Sequence, residues 1–177
     1  MNPEKRVADL FNISNRFLRS INLERDFQDP SALSSYILTE FAKQCFDRLK
    51  IGLAPQSGQR AWRITGDYGS GKSSLALVLA HWFNGQRAVH RGTIDFRQFG
   101  VPPQHFAPLL VTCSRQPLGR SIIKALHQIM TTLYRRGTTL KLANDLQQVS
   151  NGEHDPTDDQ VLESILQVNA RLIRDGK

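Results

Sequence analysis

The residues best equipped for chemistry lie together in Gly66-Asp67-Tyr68-Gly69-Ser70-Gly71-Lys72-Ser73-Ser74. Their spacing is G-x-x-x-x-G-K-[ST], a pattern suited to holding a phosphate chain. Gly66, Gly69 and Gly71 let the backbone turn tightly and bring its N–H groups against phosphate oxygens. A helix beginning near Gly71 would aim its unpaired N–H groups, and the positive end of its dipole, at the same anion. Lys72 can reach the β- and γ-phosphates and is the candidate for catalytic charge stabilisation. Ser73 offers a hydroxyl to Mg²⁺. Ser74 can face the α-phosphate. Asp67 is unusual in such a loop, because its carboxylate must point away from the phosphates or repel them.

The flanking residues have patterns that would position this loop. Ala61-Trp62-Arg63-Ile64-Thr65 alternates apolar and polar residues, as a short strand does. Leu75 to Phe83 is apolar nearly all round, which predicts a buried helix, and Asn84-Gly85 is a suitable stop. Leu109-Leu110-Val111-Thr112-Cys113 is a continuous apolar run and reads as a strand buried on both faces of a parallel sheet. Upstream, Asp29-Pro30 reads as a helix start. Leu33, Tyr36, Ile37, Phe41, Cys45 and Leu49 then form one apolar face ending near Gly52. Residues 86–107 read as a long excursion with a short helix. Further helices are expected from Ile122 to Tyr134, ending at Gly137, over Leu140–Val149, and after the capping box Thr157-Asp158-Asp159-Gln160. These elements predict an α/β fold of P-loop NTPase type, a partial parallel sheet flanked by helices, with an N-terminal helical segment. The expected division is a helical segment over 1–59 packed on an ATPase core over 60–177.

The chain of 177 residues is about one domain long, and 40% hydrophobic residues suffice for a core. No apolar window is long enough to span a membrane, and no signal-peptide pattern comes after Met1. Cys45 and Cys113, far apart in apolar patterns, read as free thiols, so a cytoplasmic location is expected. The net charge of +7 is concentrated in residues 48–144, where only Asp67 and Asp95 are acidic. This basic middle suits nucleotide phosphates and could meet nucleic acid or an acidic partner. Its cations are dispersed and not interleaved with aromatics, so no base-stacking platform is visible.

Hydrolysis of a nucleotide needs more than this loop. An apolar strand ending in Asp, or in Asp-Glu, would hold Mg²⁺ and polarise the attacking water. Thr93-Ile94-Asp95, Leu142-Ala143-Asn144-Asp145 and Ile173-Arg174-Asp175 all fail that pattern, and no general base is found. Three explanations stand. The chain is the N-terminal piece of a longer protein, or it binds nucleotide without hydrolysing it, or the loop is a structural anion site.

Two stretches carry a family resemblance. One is Arg16-Phe17-Leu18-Arg19-Ser20-Ile21-Asn22-Leu23-Glu24-Arg25-Asp26-Phe27. The other is Arg60 to Ser73, and Val111-Thr112-Cys113-Ser114-Arg115-Gln116-Pro117-Leu118 adds a further similar strand and turn. Together they resemble the N-terminal P-loop region of large bacterial AAA-like ATPases, often associated with anti-phage defence. The resemblance implies a cytoplasmic ATPase working as a homo-oligomer or with effector subunits such as nucleases or helicases. It implies that Arg16, Arg19 and Asn22 lie near the base or ribose, and that Arg115 could sense phosphate. In that family an Asp-Glu strand comes after a helix like 158–175, in keeping with the first explanation above.

The expected function is therefore binding of ATP with Mg²⁺ by Gly66, Asp67, Tyr68, Gly69, Ser70, Gly71, Lys72, Ser73 and Ser74. Binding or hydrolysis would drive a conformational or assembly change acting on nucleic acid or an effector. The alternative is a non-hydrolysing nucleotide-binding interaction module. A small-molecule kinase is a weaker third reading, since the lid arginines and acidic residues it needs cannot be placed.

Overall fold

The computed structural model describes residues 20–29, 31–34, 36–86, 88–89, 94–100, 106–112, 116–134 and 139–176. They are mostly helical. In order they form α1 (Leu23–Asp26), α2 (Glu40–Leu53), α3 (Lys72–Phe83), β1 (Ala88–Val89), β2 (Ile94–Asp95), a 3-10 turn (Phe96–Phe99), α4 (Leu118–Leu133), α5 (Thr139–Asn151) and α6 (Asp158–Arg174). The strands β1 and β2 make an antiparallel ribbon in which Ala88 faces Asp95 and Val89 faces Ile94.

The parallel sheet expected from the sequence is not formed among the described residues, whose ladder is limited to β1 and β2. Residues 61–67 and 106–112 run without regular structure. The backbone groups of Ala61–Thr65 make no hydrogen bond to another described backbone. In 106–112 the ends alone are tied: the Phe106 N–H donates to the Phe83 carbonyl at 3.2 Å, and the Thr112 N–H donates to Glu24 Oε1 at 2.6 Å. The physical reason is that alternation and β-branching favour an extended, half-buried backbone, whereas a strand also needs a neighbour at ladder distance. Ile64 and Leu109 are half-buried against the two cores, but among the described residues no partner strand lies beside them.

Two hydrophobic cores hold the helices. The first gathers Leu33, Ala42, Phe46 and Leu49 with Leu75, Leu77, Val78 and Trp82 of α3, and with Ile94, Phe96 and Phe99. Phe46 is its centre and has no exposed surface. Its ring stacks on Phe99 at 4.2 Å and meets Trp82 edge-on at 5.2 Å. The Trp82 indole N–H is satisfied by the Gly100 carbonyl at 2.9 Å. The second core packs Ile123, Leu126 and Met130 of α4 with Ala143 and Leu146 of α5 and Val161, Val168 and Leu172 of α6. Here Arg120 organises the loop between α5 and α6, donating to the carbonyls of Ser150, Gly152 and His154 and pairing with Asp155.

Several helix boundaries differ from the sequence pattern. Helix α2 starts at Glu40, capped by the Thr39 hydroxyl on the Ala42 N–H. Asp29 instead closes a short turn on the Ser31 N–H and hydroxyl. The buried face of α2 is Ala42, Phe46, Leu49 and Gly52, so Ile37 and Phe41 are exposed. The α3 boundaries agree with the sequence, as does the reciprocal cap of Thr157 and Gln160 at the start of α6. Helix α4 ends at Leu133; the expected stop at Gly137 lies outside the described residues. No described helix is long and apolar enough to cross a membrane.

Phe46→Ala is expected to lower stability by about 3–5 kcal/mol in chemical denaturation, because the aromatic cluster cannot collapse into the space left. His81 gives a pH signature. It is buried near the end of α3 and stacks on Phe27 at 4.6 Å. Burial lowers its pKa from the ordinary value of 6.5, a shift partly opposed by a hydrogen bond with Gln86. Its neutral form is thus favoured by folding. That stability is complete above the unfolded value and is lost as pH falls through the lowered one. The thermal midpoint should fall on acidification below neutrality, and the fall should be smaller in His81→Phe.

Candidate functional site

The loop 66–74 is held in place from both sides along the chain. Upstream, the Arg60 guanidinium donates to the Gly52 carbonyl at 2.9 Å and to the Gln59 carbonyl at 2.8 Å. Trp62 lies on Gly52 of α2, and Ile64 enters the first core. Downstream, α3 is buried along Leu75, Leu77, Val78, Leu79, Ala80, His81 and Trp82. The buried body of α3 anchors its first turn, which is left at the surface.

Within the loop, the Ser70 N–H donates to the Asp67 carbonyl at 3.2 Å. Gly69 and Gly71 have φ of 80° and 83°, the left-handed region that glycine enters without steric cost. Left-handed residues placed between right-handed ones turn successive N–H groups into one concavity. Gly71 caps α3 with no side-chain hydrogen bond. The first helical bond runs from the Leu75 N–H to the Gly71 carbonyl at 2.9 Å. The N–H groups of Gly69, Gly71, Lys72, Ser73 and Ser74 therefore have no acceptor among the described residues. A cluster of open donors at a helix N-terminus is an anion site in waiting.

Lys72 closes the loop on itself. Its Nζ donates to the Gly66 carbonyl at 2.8 Å and the Asp67 carbonyl at 2.6 Å, with the Ser70 Oγ at 3.4 Å. The ammonium thus bridges the start of the loop to the first residue of the helix. It takes the carbonyl of Asp67, and the Asp67 carboxylate makes no ion pair with a described residue. Ser73 is exposed and its hydroxyl makes no hydrogen bond to a described residue, whereas Ser74 is half-buried. Tyr68 is 96% exposed, and its Oη lies 3.5 Å from the Ser20 Oγ, bringing the N-terminal segment beside the loop.

The remaining sequence candidates divide sharply. Asn22 uses its side-chain oxygen to cap α1 through the Arg25 N–H at 3.0 Å. Arg16, Arg19 and Arg115 lie outside the described residues, as does Cys113. Within the basic span, Arg97 forks onto Asp95, Lys50 pairs with Asp47, and Arg120 is taken up by loop carbonyls. No group of three or more His, Cys, Asp or Glu able to hold a metal occurs among the described residues. The contact of Trp62 with Gly52 is not legible in the sequence; a glycine near a helix end reads as a stop, and nothing in the pattern marks a ring laid over it.

No protein-family model matches this chain, and neither a curated protein nor a solved structure shows significant similarity to it.

Gly71→Ala tests the loop geometry alone. A Cβ there would meet nothing within 4 Å, so the cost is the left-handed backbone. The expected loss is about 1–2 kcal/mol of stability. An unchanged denaturation midpoint would mean that residue 71 does not hold a positive φ in solution.

Proposed function

We propose that this chain binds ATP with Mg²⁺ through Gly66–Ser74, and that binding or turnover drives a conformational or assembly change acting on an effector or on nucleic acid. The observation that supports this most directly is the set of open N–H groups of Gly69, Gly71, Lys72, Ser73 and Ser74, with the Lys72 ammonium held on the Gly66 and Asp67 carbonyls of the same loop. Five donors and a fixed cation are far more than one carboxylate requires, and they suit a polyphosphate. The resemblance to bacterial AAA-like ATPases favours ATP among nucleoside triphosphates, a homo-oligomer or effector subunits as partners, a cytoplasmic setting and a role in antiviral defence.

The geometry suggests a role for each residue. The amides of Gly69, Gly71 and Lys72 wrap the β-phosphate, and those of Ser73 and Ser74 approach the α-phosphate. Lys72 exchanges part of its hold on the Gly66 and Asp67 carbonyls for β- and γ-oxygens. Ser73 would hold the cation, whose bound charge would offset that of the phosphates and assist transfer at the γ-phosphoryl group. Gly66, Asp67, Tyr68 and Ser70 shape the loop. The alternative is a non-hydrolysing nucleotide-binding module, since the sequence shows no apolar strand ending in Asp or Asp-Glu to supply the base.

Calorimetric titration with ATP and Mg²⁺ checks the assignment. Lys72→Ala should weaken binding at least about tenfold, consistent with loss of a charge-assisted contact, while unfolding stays cooperative. Ser73→Ala should remove most of the gain in affinity that Mg²⁺ provides. Equal affinity in wild type and Lys72→Ala would rule out the phosphate-loop reading.

A further inference from the structure

Among the described residues no strand lies beside the segment that delivers Gly66 to the loop, yet the loop needs a fixed starting point. Residues on the C-terminal turn of α2 supply one. Gly52 is buried within the last turn of α2. A methyl group on it would collide with Trp62 Cζ2 and stand 3.1 Å from Cε2, so the indole lies directly on the helix backbone. The same glycine's carbonyl, which has no intrahelical donor, accepts from the Ser57 hydroxyl and from Arg60 at 2.9 Å. Arg60 also holds the Gln59 carbonyl at 2.8 Å and the Ser57 Oγ at 3.3 Å. Ring and guanidinium therefore grip one residue of α2 from both ends of Arg60–Trp62. Gly66 lies beyond Trp62 by a span of at most about 14 Å of extended chain. Ile64, the one half-buried residue of that span, is inserted in the first core.

We infer that Gly52, Arg60 and Trp62 form a clamp that positions the phosphate loop, and that Trp62 is a positioning residue for nucleotide binding. The inference rests on the reading of Gly66–Ser74 as the nucleotide site. None of the three residues contacts the loop's open amides. They act by setting where the backbone enters Gly66, and hence whether the Gly66 and Asp67 carbonyls stand where Lys72 bridges them. A helix without a side chain at 52 is the condition for the ring to sit there; any Cβ displaces the indole and the chain leading on to the loop.

The test uses the full chain, titrated calorimetrically with ATP and Mg²⁺, with iodide quenching of tryptophan emission as a second readout. Trp62 is 40% exposed and Trp82 fully buried, so iodide reports on Trp62. Gly52→Ala should weaken binding about tenfold, since displacement of a positioned group by about 1 Å is costly. Trp62→Phe in that background removes the atoms that collide and should restore most of the affinity. In wild type, saturating ATP should change the iodide quenching of Trp62, and in Gly52→Ala it should not. Arg60→Met, an exposed change, should weaken binding several-fold even if Gly52→Ala does not fold. Wild-type affinity in both Gly52→Ala and Arg60→Met, or a quenching constant unmoved by ATP in wild type, would overturn the clamp while leaving the phosphate loop standing. Absence of ATP binding by wild type itself would remove the underlying reading and the clamp together.

Discussion

The structure depends on one constraint, the burial of α3. Its sequence from Leu75 to Phe83 is apolar nearly all round, so it must be covered on every side. Phe46 and Phe99 cover its lower end through Trp82, while Leu33 and Leu49 join the same core. A helix held this firmly along its body cannot move its first turn freely. Its open N–H groups are therefore presented at a fixed place and in a fixed direction, with the dipole adding to their pull on an anion. The chemistry at one end is a consequence of packing at the other.

That arrangement removes the need for a sheet to support the loop in this structure. A strand would hold the approach to Gly66 by a ladder of backbone bonds. Here the approach is held by side chains: a ring on Gly52, a guanidinium on its carbonyl and Ile64 in the core. Side-chain anchoring fixes fewer atoms than a ladder and leaves the backbone of Ala61–Thr65 without backbone partners among the described residues. Such a segment is cheap to displace, which makes the loop's geometry sensitive to small changes at a distance. Glu24 plays a similar part for 106–112 by accepting the Thr112 N–H.

Local signals are readable where one residue type can do one thing. Gly69 and Gly71 take positive φ, Asn84-Gly85 ends α3, and Thr157 and Gln160 cap each other. Signals that depend on a distant partner do not translate. Ala61–Thr65 and Leu109–Val111 have strand character, but pairing is a property of two segments, and neither finds a second one among the described residues. The face of α2 departs from its sequence pattern for a related reason. Leu33, Ile37 and Phe41 recur at helical spacing, but the helix begins only at Glu40, so the phase set by residues before Thr39 does not carry into it. The turn geometry of Gly66–Ser74 is legible because its signal is contiguous. Its support at Gly52 is not, because that signal is the absence of a side chain opposite a ring ten residues on.

Binding and hydrolysis are separable in this site, and the separation is electrostatic. Everything drawn to the loop is positive or a donor: the amides of Gly69 to Ser74, the Lys72 ammonium and the dipole of α3. On the proposed reading these groups would stabilise a polyphosphate in its ground state and the charge that builds during transfer alike, so they alone would give uniform binding more than rate. Rate would need a further group to orient or activate water against that positive field. Asp67 is the acidic residue of the loop, yet its carbonyl is taken by Lys72, and any approach of its carboxylate to the phosphates would oppose binding. A group that must be kept away for affinity cannot also serve as the base. On the proposed reading the loop would serve capture first, and any turnover would draw its acid–base chemistry from a residue outside Gly66–Ser74.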